Sequence, residues 1–232
     1  MVRRSARFEQ IDTSLVAWPW LDPFLVSLPI LASLFNAQIG ALTPLIMAAS
    51  LGLIGWLRWP RVPSTLLRCM PVLTLPFFAL LSVLWSIEPM ATIRYGILYG
   101  VTALLGIFLA GLVTGRNLVL GLLLAFGSFN VISLIFGSYV PMGIDGQAFA
   151  GILPSKNMAA QVAGFGVMAA VAGGICALRM RSSGLFMAST VVILTAGWTL
   201  LIALSTGALV ATSAGIALIG IFALAGLVPR RG

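Results

Sequence analysis

The sequence predicts an all-α, polytopic membrane protein, and its composition, hydropathy and charge placement all indicate this class. Of the 232 residues, 60% are hydrophobic and only 8% are charged, and the mean hydropathy is +1.13. A soluble domain is about half apolar and about a quarter charged. Long apolar runs separated by short charged loops are typical of helical bundles that cross a membrane several times.

Eight apolar segments approach the length of about 20 residues that a helix needs to cross a bilayer core. The first is interrupted by prolines and by Asp22. If the start of this segment lies along the membrane interface instead, seven crossings remain. The predicted spans are Leu15–Phe35, Ile39–Trp56, Cys69–Trp85, Tyr95–Thr114, Leu118–Tyr139, Met158–Leu178, Leu185–Leu204 and Ala208–Val228.

Basic residues predict the orientation of these spans. With the N-terminus inside, eleven arginines fall in cytoplasmic segments, and only Arg94 and Lys156 fall in outer loops. Cytoplasmic loops of membrane proteins carry an excess of Lys and Arg. We therefore expect both termini to be cytoplasmic, with a tail at 1–14, a transmembrane domain at 15–228 and a short tail at 229–232. We expect the protein to lie in a bacterial inner membrane, with its spans in contact with the lipid bilayer.

Several function classes are disfavoured by the same composition. The basic residues behind the net charge of +8 lie in small clusters at the ends of apolar runs. The sequence has no basic stripe interleaved with aromatic residues, so nucleic-acid binding is not expected. The chain has no histidine, the commonest general base and metal ligand. Cys69 and Cys176 both fall near the predicted cytoplasmic face, so neither a disulfide nor a metal site is expected. "MVRRSARFEQIDTS" is followed by no small-residue cleavage site, so a cleaved signal peptide is not expected.

The first predicted outer loop, "LWSIEPMATIRYG" at residues 84–96, carries Glu88 and Arg94. Ser86 is suited to cap a helix that begins near Pro89, with Glu88 in the first turn. Arg94 then lies just inside the following span, within reach of water or headgroups. Two interpretations stay open. In the first, Glu88 and Arg94 are only solvated charges of a short loop. In the second, Arg94 binds a phosphate through the paired N–H donors of its guanidinium group.

The second outer loop, at residues 139–160, carries Asp145 and, in "GILPSKNMAA", the only lysine of the chain. Ser155 or Asn157 is suited to cap the helix that follows. A helix N-terminus beside Lys156 offers backbone N–H groups and a positive charge to an anion. The alternative is that Lys156 is a solvated loop charge.

Small residues recur along several spans and predict close helix packing. Gly96 and Gly100 form a GxxxG pair, and Gly166, Ala170 and Gly174 form a second row. Small residues let helices approach where lipid offers no hydrophobic drive for association.

Three stretches resemble O-antigen ligase-like and exopolysaccharide polymerase proteins. "LSVLWSIEPMATIRYG" is similar to the segment before the fourth span in that family. "GILPSKNMAA" is similar to the Lys-Asn element that opens a later span, and "LLIALSTGALVATSAGIAL" resembles the Ser-rich span after it. The three stretches occur in the family's order, and the resemblance covers nearly the whole chain.

The resemblance implies a glycosyltransferase of surface polysaccharide assembly in the bacterial inner membrane. Such proteins transfer glycan from undecaprenyl pyrophosphate on the periplasmic side, and they need no metal, nucleotide or other cofactor. Basic residues stabilise the departing diphosphate, and a periplasmic histidine activates the acceptor hydroxyl. The matching substrate-binding positions are Arg94, Lys156 and Asn157, with Glu88, Asp145 and Ser205 as supporting polar residues.

This sequence departs from the family in two ways. Thr206 follows Ser205 where family members often carry a basic residue, and the family's loop with its histidine has no counterpart. The resemblance therefore assigns no catalytic residue, and we expect the chain to correspond to the N-terminal part of such a protein and to be inactive alone. Two alternatives stay open: a non-catalytic accessory subunit that binds other polysaccharide assembly proteins, and a small transporter. Transport would need intramembrane ionisable residues, for which Asp22 and Arg94 are the candidates.

Overall fold

A computed structural model describes residues 21–142 and 146–225 of the chain. The two predicted tails, the beginning of the first predicted span and Asp145 lie outside these residues. The described part is α-helical apart from one antiparallel β-hairpin, as the all-α prediction requires.

Short connections join the helices and strands. The helices are α1 Leu21–Leu34, α2 Asn36–Ile39, α3 Leu42–Leu57, α4 Val62–Arg68, α5 Met70–Leu81, α6 Pro89–Leu112, α7 Gly115–Phe136, α8 Lys156–Met180, α9 Ser183–Ile202 and α10 Thr206–Ala225, with 3₁₀ turns at Trp59–Arg61 and Ser82–Trp85. The hairpin pairs β1, Ser138–Met142, with β2, Gly146–Gly151.

Five of the described helices, α6 to α10, are long and apolar enough to cross a membrane. A sixth crossing is formed if α3 and the segment Trp59–Arg68, which meet at an angle of 87°, count as one broken span. Helix α1 and the segment Met70–Trp85 are apolar but shorter, and each contains a proline inside its helix. Proline removes a backbone hydrogen bond and limits helix length. The chain is therefore built as a multi-pass membrane protein.

The helices form two groups that α1 joins. Helices α7, α8 and α9 pack on one another, and α10 packs mainly on α8. In the other group α3, α4 and α5 all pack on α6. Helix α1 contacts both α7 and α3, and Val26 of α1 belongs to the main hydrophobic core.

Chain direction and packing define two ends of this assembly. One end carries the β-hairpin, the start of α8 and the turn between α9 and α10, and we name it the hairpin side. The opposite end carries the start of α1, the end of α3 and the start of α7, and we name it the Asp22 side. Among the described basic residues, Arg94 and Lys156 belong to the hairpin side, and the others belong to the Asp22 side: Arg58, Arg61, Arg68, Arg116, Arg179 and Arg181.

The small residues predicted to pack do so at most positions. A Cβ added at Gly96 would lie 3.2 Å from Cγ of Leu80 on α5, so the GxxxG pair faces a neighbouring helix. On α8, Gly166 faces Ala196 of α9, whereas Gly174 has no neighbouring atom within 4 Å. Gly173 takes the place predicted for Gly174, since it is the buried position next to α7 and α9. Such close approach brings the backbones of α7, α8 and α9 together.

Candidate functional site

The hairpin follows α7 and covers the hairpin side of the α7–α9 group. The sequence predicted a loop here, but residues of β1 and β2 pair along their length. Phe149 is buried, and the Ser133 hydroxyl accepts a hydrogen bond from the backbone N–H of Ile152 at 3.3 Å. The Gln38 side chain donates to the carbonyl of Ile152 at 2.9 Å. These contacts tie the segment before α8 to both α7 and α2, so the start of α8 has a fixed position.

Lys156 and Asn157 form the first turn of α8. Ser155 is the N-cap residue, and its hydroxyl accepts a hydrogen bond from the N–H of Met158 at 3.3 Å, as the sequence predicted. Lys156 is half-buried, and Asn157 is exposed. The element thus combines a capped helix N-terminus with a cation and an exposed amide, an arrangement that attracts anions.

Ser205 lies on the hairpin side as well. It occupies the turn between α9 and α10, where Leu204 adopts a left-handed backbone conformation with φ of 51°. Ala160 near the start of α8 packs in one cluster with Ala203 and Ala208, which flank that turn. Ser205 is 9% exposed. The structure therefore packs the start of α8 against the α9–α10 turn, although Ala160 and Ala203 are 43 residues apart in the sequence.

Arg94 stands apart from these residues. It is exposed on α6, and the extensive contacts of α6 in the described part of the chain are with α3, α4 and α5. No hydrogen bond or ion pair of Arg94 is present among the described residues. Arg94 and Lys156 share the hairpin side but belong to different helix groups, so they do not form one cluster of side chains.

Glu88 lines a cleft of 450 Å³ between α5 and α6. Thr92, Tyr95 and Tyr99 of α6 form its other polar walls. Glu88 is the residue before Pro89, at the N-cap position rather than in the first turn, and it makes no capping side-chain bond. The Ser86 hydroxyl instead accepts from the N–H of Glu88 at 3.1 Å and lies 2.6 Å from the Thr92 hydroxyl. The predicted Ser86 cap is therefore replaced by a tight turn that exposes the carboxylate.

A buried polar cluster on the Asp22 side was not predicted from the sequence. The Arg58 guanidinium donates to Asp22 Oδ1 at 2.5 Å and to the carbonyl of Leu112 at 3.0 Å. The Asn117 amide donates to the other carboxylate oxygen of Asp22 at 3.1 Å. Asp22 was recognised as an unusual residue in an apolar segment, and an aspartate so placed is expected to have a partner. Its partner, Arg58, is 36 residues away in the sequence, and the contact depends on the packing of α1 on α3.

In the residues from 21 to 142 and from 146 to 225, no group of three or more Cys, Asp and Glu side chains is arranged to hold a metal ion. No protein-family model matches the chain, and comparisons with curated proteins and with solved structures also gave no match.

Proposed function

We propose that the chain is an inner-membrane protein of bacterial surface polysaccharide assembly that binds a glycan linked to undecaprenyl pyrophosphate on its hairpin side. The proposal includes eight crossings with two cytoplasmic termini; the alternative count of seven would put the two termini on opposite faces of the membrane. In this arrangement the Asp22 side faces the cytoplasm and the hairpin side faces the periplasm. The excess of arginine on the Asp22 side supports this orientation.

One observation carries the proposal. The three stretches that resemble O-antigen ligase-like proteins are separate in the sequence, yet each contributes a turn or helix start to the hairpin side. They contain Glu88 and Arg94, Lys156 and Asn157, and Ser205. A common membrane-anchored substrate requires that its binding residues lie on the same side of the membrane.

The chemistry of these groups suits a lipid diphosphate. Lys156 at the capped start of α8 offers a positive charge and backbone N–H donors to phosphate oxygens. Arg94 offers a second cation on α6, suited to a long, flexible substrate that extends from one helix group to the other. The proposal covers donor binding and stabilisation of the diphosphate, and it assigns no general base to the chain.

The proposal is tested by deletion and complementation. We expect deletion of the gene to change the surface polysaccharide on a gel of extracted glycans, and the wild-type gene to restore it. Complementation with Lys156→Ala should fail at a protein level equal to wild type, because the anion site loses its charge. Phe186→Ala, an exposed change on the Asp22 side of α9, is the matched control and should complement. Unchanged polysaccharide after deletion would contradict the proposal.

A non-catalytic accessory subunit is a second candidate, favoured by α10. Only 11% of the apolar window of this helix is buried inside the chain, against 33% to 44% for the other four long helices. Its large exposed apolar face suits a helix of another polysaccharide assembly protein. Cross-linking from Phe222, which is exposed on α10, followed by mass spectrometry tests this candidate. A reproducible cross-link to one partner supports it, and cross-links to lipid alone oppose it.

A further inference from the structure

A long groove on the outside of the bundle is not used by the proposed function. It has a volume of 750 Å³ and runs between α7 and α9, with the start of α1 at one end. This volume is within the range of about 300–1,000 Å³ that ligand sites occupy. The Ser128 hydroxyl donates to the carbonyl of Leu124 at 2.6 Å, so it is satisfied within its own helix. Apart from Phe24 and the polar end of the groove, the remaining walls are mainly aliphatic and include Leu120, Leu124 and Val131 of α7 and Val191 and Val192 of α9.

The length of the groove matches an acyl chain. From Arg116 to Val131 the groove follows α7 for about 22 Å, since a helix rises 1.5 Å per residue. One leaflet of a bilayer provides about 15 Å of hydrocarbon, half of the total thickness. Both α7 and α9 are of membrane-crossing length. The groove is therefore surrounded by lipid and is long enough to hold one whole acyl chain.

The end of the groove on the Asp22 side carries a net positive charge. Arg116 lines this end and is exposed. The carboxylate of Asp22 lies nearby but is neutralised by Arg58 and hydrogen-bonded by Asn117, which also lines the groove. Within the described part of the chain, an anion at the mouth of the groove therefore meets the guanidinium of Arg116 without an uncompensated carboxylate beside it.

We propose that this groove binds an anionic phospholipid of the surrounding bilayer, with an acyl chain between α7 and α9 and the headgroup phosphate on Arg116. Basic pockets between transmembrane helices bind acidic headgroups in this way. Arg116 can form two parallel hydrogen bonds to a phosphate. The site is on the opposite side of the molecule from Lys156, and it does not depend on the function proposed above.

A second groove provides an internal comparison. It has a volume of 690 Å³, near the bend between α3 and α4, and its walls are formed by Gly55, Trp56, Trp59, Phe108 and other uncharged residues. It is similar in size and apolar character, but none of the described residues that line it is charged. We expect acyl chains to occupy it without preference for the headgroup, so selectivity for anionic lipid is specific to the Arg116 groove.

The experiment is native mass spectrometry of the purified full chain, titrated with phosphatidylglycerol or with phosphatidylcholine of the same acyl chains. The wild type should retain phosphatidylglycerol in preference to phosphatidylcholine. Arg116→Gln should reduce that preference about fivefold, the effect of one basic residue near a membrane surface. Val191→Trp should reduce retention of both lipids, because the indole fills the groove.

Two matched variants separate this site from general effects. Arg68→Gln removes an exposed arginine of the Asp22 side that does not line the groove, and Val210→Trp adds the same bulk on α10, where Val210 is 65% exposed. Both should retain lipid as the wild type does. The proposal is overturned if Arg116→Gln keeps the wild-type preference, or if Val191→Trp and Val210→Trp have equal effects. Arg116 and Val191 are exposed, so their substitution leaves the packed interior unchanged.

Discussion

The ion pair between Arg58 and Asp22 is expected to be a main source of stability on the Asp22 side. Both side chains are only 6% exposed, and together with Asn117 and the carbonyl of Leu112 they connect α1, α3, α6 and α7. Removing one partner of a buried pair leaves an uncompensated charge, at a cost of about 3–5 kcal/mol. We therefore expect Arg58→Met to lower the free energy of unfolding by about 3–5 kcal/mol.

The double variant Asp22→Leu/Arg58→Met sharpens this prediction. It removes both charges and leaves only the Asn117 amide and the Leu112 carbonyl without their partners. An unsatisfied buried polar group costs about 1–3 kcal/mol. The double variant should therefore lose less stability than the two single variants lose together. The difference, a coupling energy of about 3 kcal/mol, follows from the avoided buried charge.

Reversible unfolding in mixed micelles of dodecyl maltoside and sodium dodecyl sulfate, followed by tryptophan fluorescence, measures these values. Arg68→Met is the matched control, since Arg68 is an exposed arginine on the same side, and it should change stability by less than about 0.5 kcal/mol. The reasoning is refuted if Arg58→Met is no worse than Arg68→Met, or if the two single changes are additive in the double variant.

Two further predictions concern helix packing and orientation. Gly121→Ala should destabilise the chain by about 1–3 kcal/mol in the same unfolding assay, because the new methyl group meets Val26 of α1. Gly174→Ala, where no atom lies within 4 Å, should not destabilise it; equal losses would refute the packing argument. Gln147→Cys, an exposed hairpin position, should react in spheroplasts with a membrane-impermeant maleimide, while the two native cysteines do not. The reverse pattern would overturn the proposed orientation.

The sequence predicted the helical membrane class well, because hydrophobicity over a window of about 20 residues is a local property. It also offered Ser155 or Asn157 as the cap of α8, and Ser155 is the cap, since a serine before a helix bonds a backbone N–H only three residues away. Span limits were less predictable where prolines occur. Helix α1 and the Met70–Trp85 segment are shorter than the five long helices, with Pro29 and Pro76 inside them.

Long-range contacts were the part that the sequence did not predict. Nothing in the local pattern pairs Asp22 with Arg58, because their contact depends on how α1 packs against α3. The β-hairpin was also missed, since residues 139–160 were interpreted as a loop. The packing of Ala160 against the α9–α10 turn also depends on tertiary contacts. By contrast, Arg94 remains on a separate helix group.

The most direct test of the proposed function is a binding titration of an undecaprenyl-pyrophosphate-linked glycan to the purified chain in lipid nanodiscs. We predict saturable binding that Lys156→Ala weakens about tenfold, the loss expected for one charge-assisted hydrogen bond. Arg116→Gln, on the opposite side, should bind the glycan as the wild type does, which separates this site from the phospholipid groove. Absence of saturable binding, or wild-type affinity in Lys156→Ala, would contradict the account.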